Sequence, residues 1–207
     1  MKKEVLVIGL GRFGQSLATT LTEMGTEVMA MDQSEDRVEE VAELITHAVI
    51  GDATDERVIK GIGVSQFDVV VCGIGSDTEA SLMSSVLLKE FGAKHLVAKA
   101  SSKLHGRLLE KIGVDRVVYP ERDVASRLAR DFLVPAEFVE VVPLTVQHSM
   151  FELKSPAHFA GRTLAELHLR ARFGFLVVAI RRGDDTVVAP GPNEVVRHND
   201  LMLVVGE

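Results

Sequence analysis

The chain has 207 residues, 46% of them apolar, with one tyrosine, no tryptophan and a formal net charge of −7. That length allows one large domain or two small ones around a proper core, and the acidic balance argues against a nucleic-acid partner, which needs a basic face to neutralise phosphates. A single cysteine, Cys72 in the run DVVVCGIG, leaves no disulfide framework and fits a reducing compartment.

Lys2 and Lys3 precede an apolar run that glycines and Arg12 interrupt within ten residues. That is neither a signal peptide nor a membrane span. No other window approaches eighteen consecutive apolar residues, so a soluble cytoplasmic protein is expected.

A first strand, expected at 5–9, runs into Gly9-Leu10-Gly11-Arg12-Phe13-Gly14 and a helix over 11–24. This glycine spacing, after an apolar strand and before a helix, is that of a dinucleotide-binding loop. Gly9 would make the tight turn, Gly11 would let a pyrophosphate approach backbone N–H groups, and Gly14 would bring helix close to strand. Arg12 sits where a helix N-terminus already favours an anion. A guanidinium there adds a bidentate grip on further phosphate oxygens and points to a nucleotide with a free terminal phosphate; the alternative is a solvated arginine at a helix start.

A second strand, 27–31, ends beside Asp32, whose carboxylate can accept hydrogen bonds from ribose hydroxyls and repel a 2′-phosphate. A helix over 34–43 and a strand at 48–50 lead to GDAT, 51–54. There backbone and Asp52 could read an adenine edge, or Asp52 or Thr54 could cap the helix expected over 55–62; the two roles are compatible. After a strand at 69–72, Gly73 and Gly75 permit close approach from the other side of the crevice, and Ser76 or Asp77 is placed to cap a helix over 77–91. A strand at 95–98, a helix over 102–112 and a strand at 116–118 complete the series. Gly25, Gly92 and Gly113 fall where left-handed C-terminal caps are required. Short β-rich runs without alternation, separated by helices, indicate a Rossmann-like, doubly wound parallel sheet of six strands, an α/β unit.

Residues 120–131, PERDVASRLARD, read as one charged amphipathic helix, followed by Pro135. Beyond it, FVEVVPL, SMFELK, FLVVAIRR, DTVVAP and DLMLVVG alternate and turn at glycines, with a short helical segment at 164–169. This is a separate α+β unit of roughly seventy residues, small enough that it is expected to dimerise or pack on a neighbour. None of the seven histidines, at 47, 95, 105, 148, 158, 168 and 198, pairs recognisably with a carboxylate or cysteine, and His47 is expected to begin a buried strand. No HxxxH, CxxC or DxD spacing occurs. A hydride-transfer enzyme needs a second domain presenting an acid or base, so an enzyme is not expected.

Together VIGLGRFG, Asp32, THAVIGDATD, LLKEFGAKHLVAKA, LLEKIGVDRVVYPERD and RARFGFLVVAI resemble the KTN/RCK family, the cytosolic regulators of potassium uptake, and in particular its stand-alone Ktr- and Trk-type subunits. The likeness runs from Val5 to Gly206, and its most specific markers are Arg12 and YPERD at 119–123. It implies a nucleotide-binding domain at 1–118, a crossover helix linker at 119–134 and a small C-terminal domain at 135–207. It further implies homodimers assembled into an octameric ring under a membrane-embedded potassium channel subunit, hence a protein peripheral to the cytoplasmic face of the membrane. In the family ATP and ADP compete for the N-terminal site, ATP favouring the conducting state, while some relatives bind NAD(H). By this resemblance Gly9, Gly11, Arg12 and Gly14 hold phosphates and Asp32 the ribose, with Phe13 in the same binding set. Ser34 stands where several relatives have asparagine near the ribose. Asp52, Ala53 and Gly75 lie near base or sugar, with Thr54 and Gly73 in the same set.

Glu121 corresponds to a family glutamate that approaches the terminal phosphates across a dimer crevice. A carboxylate beside a triphosphate calls for a divalent cation, Mg2+ or Ca2+; as a plain helix-start residue, Glu121 would instead be stabilised by the dipole. Lys99 and Arg116 either add positive charge near the site or form salt bridges. Some relatives bind cyclic di-AMP at the C-terminal domain; Arg170 aligns with an arginine of that pocket, Leu164 and Leu167 would be its apolar walls, and His168 replaces the family's asparagine. Two functions compete: a nucleotide-gated regulator of potassium transport, and an NAD(H)-binding redox sensor or oxidoreductase.

Overall fold

The computed structural model describes residues 3–133, 138–145 and 147–206. Lys2, Glu207 and residues 134–137, which hold the end of the expected linker, Pro135 and the start of the expected C-terminal domain, lie outside the described residues. The chain divides into two compact units, Met1–Asp123 and Val124–Glu207.

In the first unit six strands, β1 (Glu4–Ile8), β2 (Glu27–Asp32), β3 (His47–Ile50), β4 (Val69–Cys72), β5 (Leu96–Lys99) and β6 (Arg116–Val118), pair in parallel in the order β3-β2-β1-β4-β5-β6. Between them run α1 (Arg12–Glu23), α2 (Glu35–Ala42), α3 (Glu56–Ile62), α4 (Thr78–Glu90) and α5 (Lys103–Ile112). The β1 sequence explains why the sheet is covered on both faces. Four consecutive residues, Val5–Ile8, are buried; Leu6 and Ile8 enter one core with Ile59, Leu88 and Leu109, while Val5 and Val7 enter the other with Ala18 and Val41. Side chains alternate across a strand, so an unbroken apolar run requires apolar partners above and below.

The expected helix ends hold: Gly25, Gly92 and Gly113 adopt φ of +84°, +83° and +93°. One expectation fails. β3 is an edge strand and His47 is exposed, so His47 does not begin a buried strand. A single short strand at the border has no neighbour on one side to cover it.

The helix α6 (Pro120–Leu133) extends two residues beyond the expected 120–131 and crosses the division between the units. In the second unit β7 (Phe138–Pro143), β8 (Ser149–Lys154), β9 (Leu176–Arg182), β10 (Asp185–Val188) and β11 (Leu201–Gly206) form an antiparallel sheet in the order β10-β9-β11-β8-β7. Alternate residues Met202 and Val204 of β11 join Phe151, Phe159, Leu167 and Ile180 in a single core. The segment expected as one helix at 164–169 is two short helices, α7 (Leu164–Leu167) and α8 (Leu169–Phe173), broken at His168 with φ +48°. Leu167 and Leu169 are both buried. In a continuous helix they would project about 200° apart; the left-handed residue turns both onto the same core. A capping box of Thr163 and Glu166 starts α7.

Candidate functional site

The sheet order reverses between β1 and β4, so the chain leaves these neighbouring strands in opposite directions and a crevice opens beyond their carboxyl ends. The loop after β1 forms its floor. Gly9 has φ +87°, and its N–H donates to the Met31 carbonyl at 2.8 Å. A Cβ on Gly14 would collide with the Gly9 carbonyl oxygen, and a Cβ on Gly73 would come within 3.0 Å of the same atom. Gly73 therefore serves the close fit of the β4 end against the glycine loop of its own chain. Gly11 differs from all three. Its φ of −67° and ψ of 179° suit any residue, and a Cβ there would meet nothing within 4 Å.

Gly11 is the N-cap of α1 without a side chain to accept from the first-turn amides, and the first turn carries no acidic residue. Such amides are unfulfilled donors at the positive end of a helix dipole. Arg12 begins that turn, exposed, and Phe13 is packed against the core below.

Asp32, buried at the end of β2, accepts from the Leu10 amide at 2.6 Å through Oδ2 and from the Ser34 amide at 2.9 Å through Oδ1. It thereby pins the glycine loop to β2 and retains lone pairs for a further donor. Arg37, on the first turn of α2, reaches Oδ2 at 3.4 Å. The spacing of the motif gives no sign of Arg37, because a helix had to bring it back over the strand end. Ser34 is the N-cap of α2 but makes no side-chain capping bond.

After β3 two expectations change. Asp52 does not cap the next helix, nor does Thr54: Asp52 Oδ1 accepts from the Thr54 amide at 2.8 Å and its hydroxyl at 2.7 Å in a local turn, and Asp55 is the cap of α3. Ala53 is buried in the core, so only its backbone faces outward chemistry. Asp77 is a simple cap, accepting from the Ala80 amide at 2.9 Å.

At the far side Lys99, the last residue of β5, and Glu121, in the first turn of α6, meet at 2.6 Å. The lysine stem lies over Gly75, where a Cβ would come within 3.1 Å of its Cε, and its ammonium sits 5.8 Å from the Phe13 ring centroid. Hydrogen bonding from Lys99 and from the Glu121 backbone amide holds the Glu121 carboxyl below its ordinary range, and the charge of Arg12 adds to this. Arg116 is exposed on the edge strand β6 and has no ion pair among the described residues. No group of three His, Cys, Asp or Glu converges to hold a metal among the described residues.

In the second unit Leu164, His168 and Arg170 line an open groove of about 320 Å³ together with Phe175, Pro190 and Pro192. Leu167 does not: it is fully buried and cannot be a wall for a base. Leu167 lies in α7 before the break at His168, on the side packed into the core.

Residues 5–120 match the TrkA-N domain family and residues 148–207 the TrkA-C domain family. Over 206 residues the chain is 44% identical to the Ktr system potassium uptake protein C of Bacillus subtilis (strain 168), covering all of this chain and 93% of that protein. Among solved structures, the GsuK channel bound to NAD superposes with a TM-score of 0.61 at 17% identity, over all of this chain and 37% of that one. GsuK bound to ADP superposes with a TM-score of 0.53 at 18% identity, over 62% of this chain and 34% of that one. At such identities these two show the fold alone. No helix of the described residues is long and apolar enough to cross a membrane.

Proposed function

The chain belongs to the KTN/RCK family in its Ktr- and Trk-type form, and from that premise we propose that it is the cytosolic, nucleotide-sensing subunit that gates a membrane-embedded potassium channel subunit. The observation that carries the nucleotide site is Gly11. Neither backbone strain nor packing calls for glycine there; the close approach of a phosphate to the α1 amides does. Asp32 would take the ribose, with Ser34 beside it, and the backbone of Asp52 and Ala53 the base. Gly9 and Gly14 shape the loop, and Gly75 leaves room for Lys99.

ATP or ADP is favoured over NAD because Arg12 stands exposed at that helix start, its charge reaching the Glu121 carboxylate at the rim without a direct ion pair among the described residues. A cation there is unfavourable against the dipole unless an anion joins it. Glu121 would approach the terminal phosphates, and a divalent cation, Mg2+ or Ca2+, would share its carboxylate with phosphate oxygens, since one carboxylate alone is a poor cage. The domains are 1–118, the crossover helix 119–134 and 135–207, assembled as homodimers in an octameric ring on the cytoplasmic face of the membrane. The groove at Leu164 and Arg170 is a second effector pocket, for cyclic di-AMP. Gating requires ATP and ADP to differ in affinity for the two states of the ring, because a ligand shifts an equilibrium only by that difference.

The second reading, an NAD(H) sensor, draws on Asp32, which suits any 2′-hydroxyl ribose. Equilibrium competition separates the two. ADP displacing ATP, together with weakened ATP binding in Arg12→Ala, is the expected result. NADH displacing ATP where ADP cannot, with Arg12→Ala binding ATP normally, overturns it.

A further inference from the structure

Lys99 and Glu121 are unequal partners: the lysine side chain is 15% exposed and the glutamate 70%. The lysine is seated, its stem over Gly75 and its ammonium beside Phe13, at the side of the crevice where the loops after β1 and β4 meet. The glutamate is at the rim, and it belongs to the first turn of α6. So the only hydrogen bond that the Lys99 ammonium donates among the described residues ties the end of β5 to the start of the helix that leads out of the first unit.

We propose that this ion pair is a latch opened by a terminal phosphate. The inference rests on the nucleotide reading above. A phosphate group entering beyond the α1 N-terminus brings two effects at once. It offers Lys99 an anion of higher charge and more acceptor oxygens than a carboxylate, and it repels Glu121. Lys99 can turn to the phosphate without leaving its seat, while the exposed Glu121 is free to move to solvent or to a cation. The first turn of α6 then loses its tie to β5. The latch is then expected to respond to a di- or triphosphate and not to a monophosphate held at the glycine loop, so that it reads the length of the phosphate chain.

The test is calorimetric binding of AMP, ADP and ATP with EDTA present, to the full chain and to Lys99→Gln and Glu121→Gln. Melting curves first establish that both variants fold. Lys99→Gln should weaken ATP about tenfold and leave AMP within about twofold; Glu121→Gln should strengthen ATP about tenfold, there being no carboxylate to displace. Amide exchange across 122–126 should rise when ATP binds the wild-type protein, and should already be raised in nucleotide-free Glu121→Gln. Wild-type binding of ATP with both variants unchanged overturns the latch and leaves the nucleotide site standing. Failure of the wild-type protein to bind any adenine nucleotide overturns both.

Discussion

The two units build their candidate sites in opposite ways. In the first, the crevice is made by backbone: strand ends, helix starts and glycines whose missing side chains let one loop lie against another. In the second, the groove is walled by side chains from two short helices and from Phe175, Pro190 and Pro192. A backbone site tolerates no added atom at its close approaches. A side-chain unit tolerates changes of volume better, but depends on its few buried charges being matched.

The contrast breaks first at Gly14. A Cβ there meets the Gly9 carbonyl, a backbone atom that cannot swing aside. Gly14→Ala should cost the first unit about 3 kcal/mol, at the upper end of overpacking effects, and lower its melting temperature by about 10 °C. Calorimetry of the purified variant checks this; an unchanged melting temperature would mean that the glycine loop is looser than its geometry implies.

In the second unit the corresponding weak point is a charge. Arg182 of β9 bonds Asp200 at 3.0 Å and Glu194 at 2.8 Å, and donates to the Val195 carbonyl at 2.6 Å; the Asp200 side chain is 2% exposed. Removing the carboxylate leaves a largely buried guanidinium with one acid partner instead of two. Asp200→Ala should cost about 2 kcal/mol, less than the loss of a wholly unpaired charge because Glu194 remains. Urea titration of the variant gives the value, and a loss under about 0.5 kcal/mol would show that the network behaves as a surface pair.

Gly11 sharpens the comparison within one loop. Gly11→Ala adds a methyl in open space, so stability should stay within about 0.5 kcal/mol of wild type, the weaker N-cap and the stiffer unfolded chain offsetting each other. Nucleotide affinity should fall at least about tenfold, because the methyl stands where a phosphate must approach. Two glycines three positions apart would then separate fold from binding. Equal loss of stability in both variants would show that Gly11 too serves the fold.

This division also explains what could be read without coordinates. Period, glycine spacing and the acid after β2 reveal the parallel sheet and its crevice, because those signals are themselves consequences of backbone geometry. Residues that arrive by tertiary folding leave no such mark: Arg37 reaches Asp32 across a helix turn, and Lys99 reaches Glu121 from 22 positions away. The Ala53 side chain is buried in the core, which leaves only its backbone for a ligand, and Gly73 is also needed for the fit of its loop against the Gly9 carbonyl. Leu167 is a groove wall only by the family resemblance, and here its side chain belongs to the core of the second unit. The left-handed break at His168 is decided by the core it serves, not by local preference.

The smallest expected effect lies at a group that the crevice does not use. His105 of α5 is buried, and its Nδ1 accepts the Ser101 amide at 3.2 Å, which places the ring proton on Nε2. That nitrogen has no partner among the described residues. Burial pushes the imidazole below its ordinary value of 6.5. The folded state therefore binds this proton less readily than the unfolded chain, and linkage fixes the sign: the contribution is full above pH 6.5 and is lost as pH falls below it, towards the folded-state value. A second proton would also face the Ser101 amide donor across Nδ1, loosening the turn between β5 and α5 just after Lys99. Urea unfolding at about pH 5.5 and pH 7.5 should show the wild-type first unit weaker at the lower pH. His105→Gln, which cannot gain that charge, should show a smaller difference between the two conditions. If the variant loses as much stability on acidification as the wild type, the acid sensitivity belongs to other groups and the His105 account is wrong.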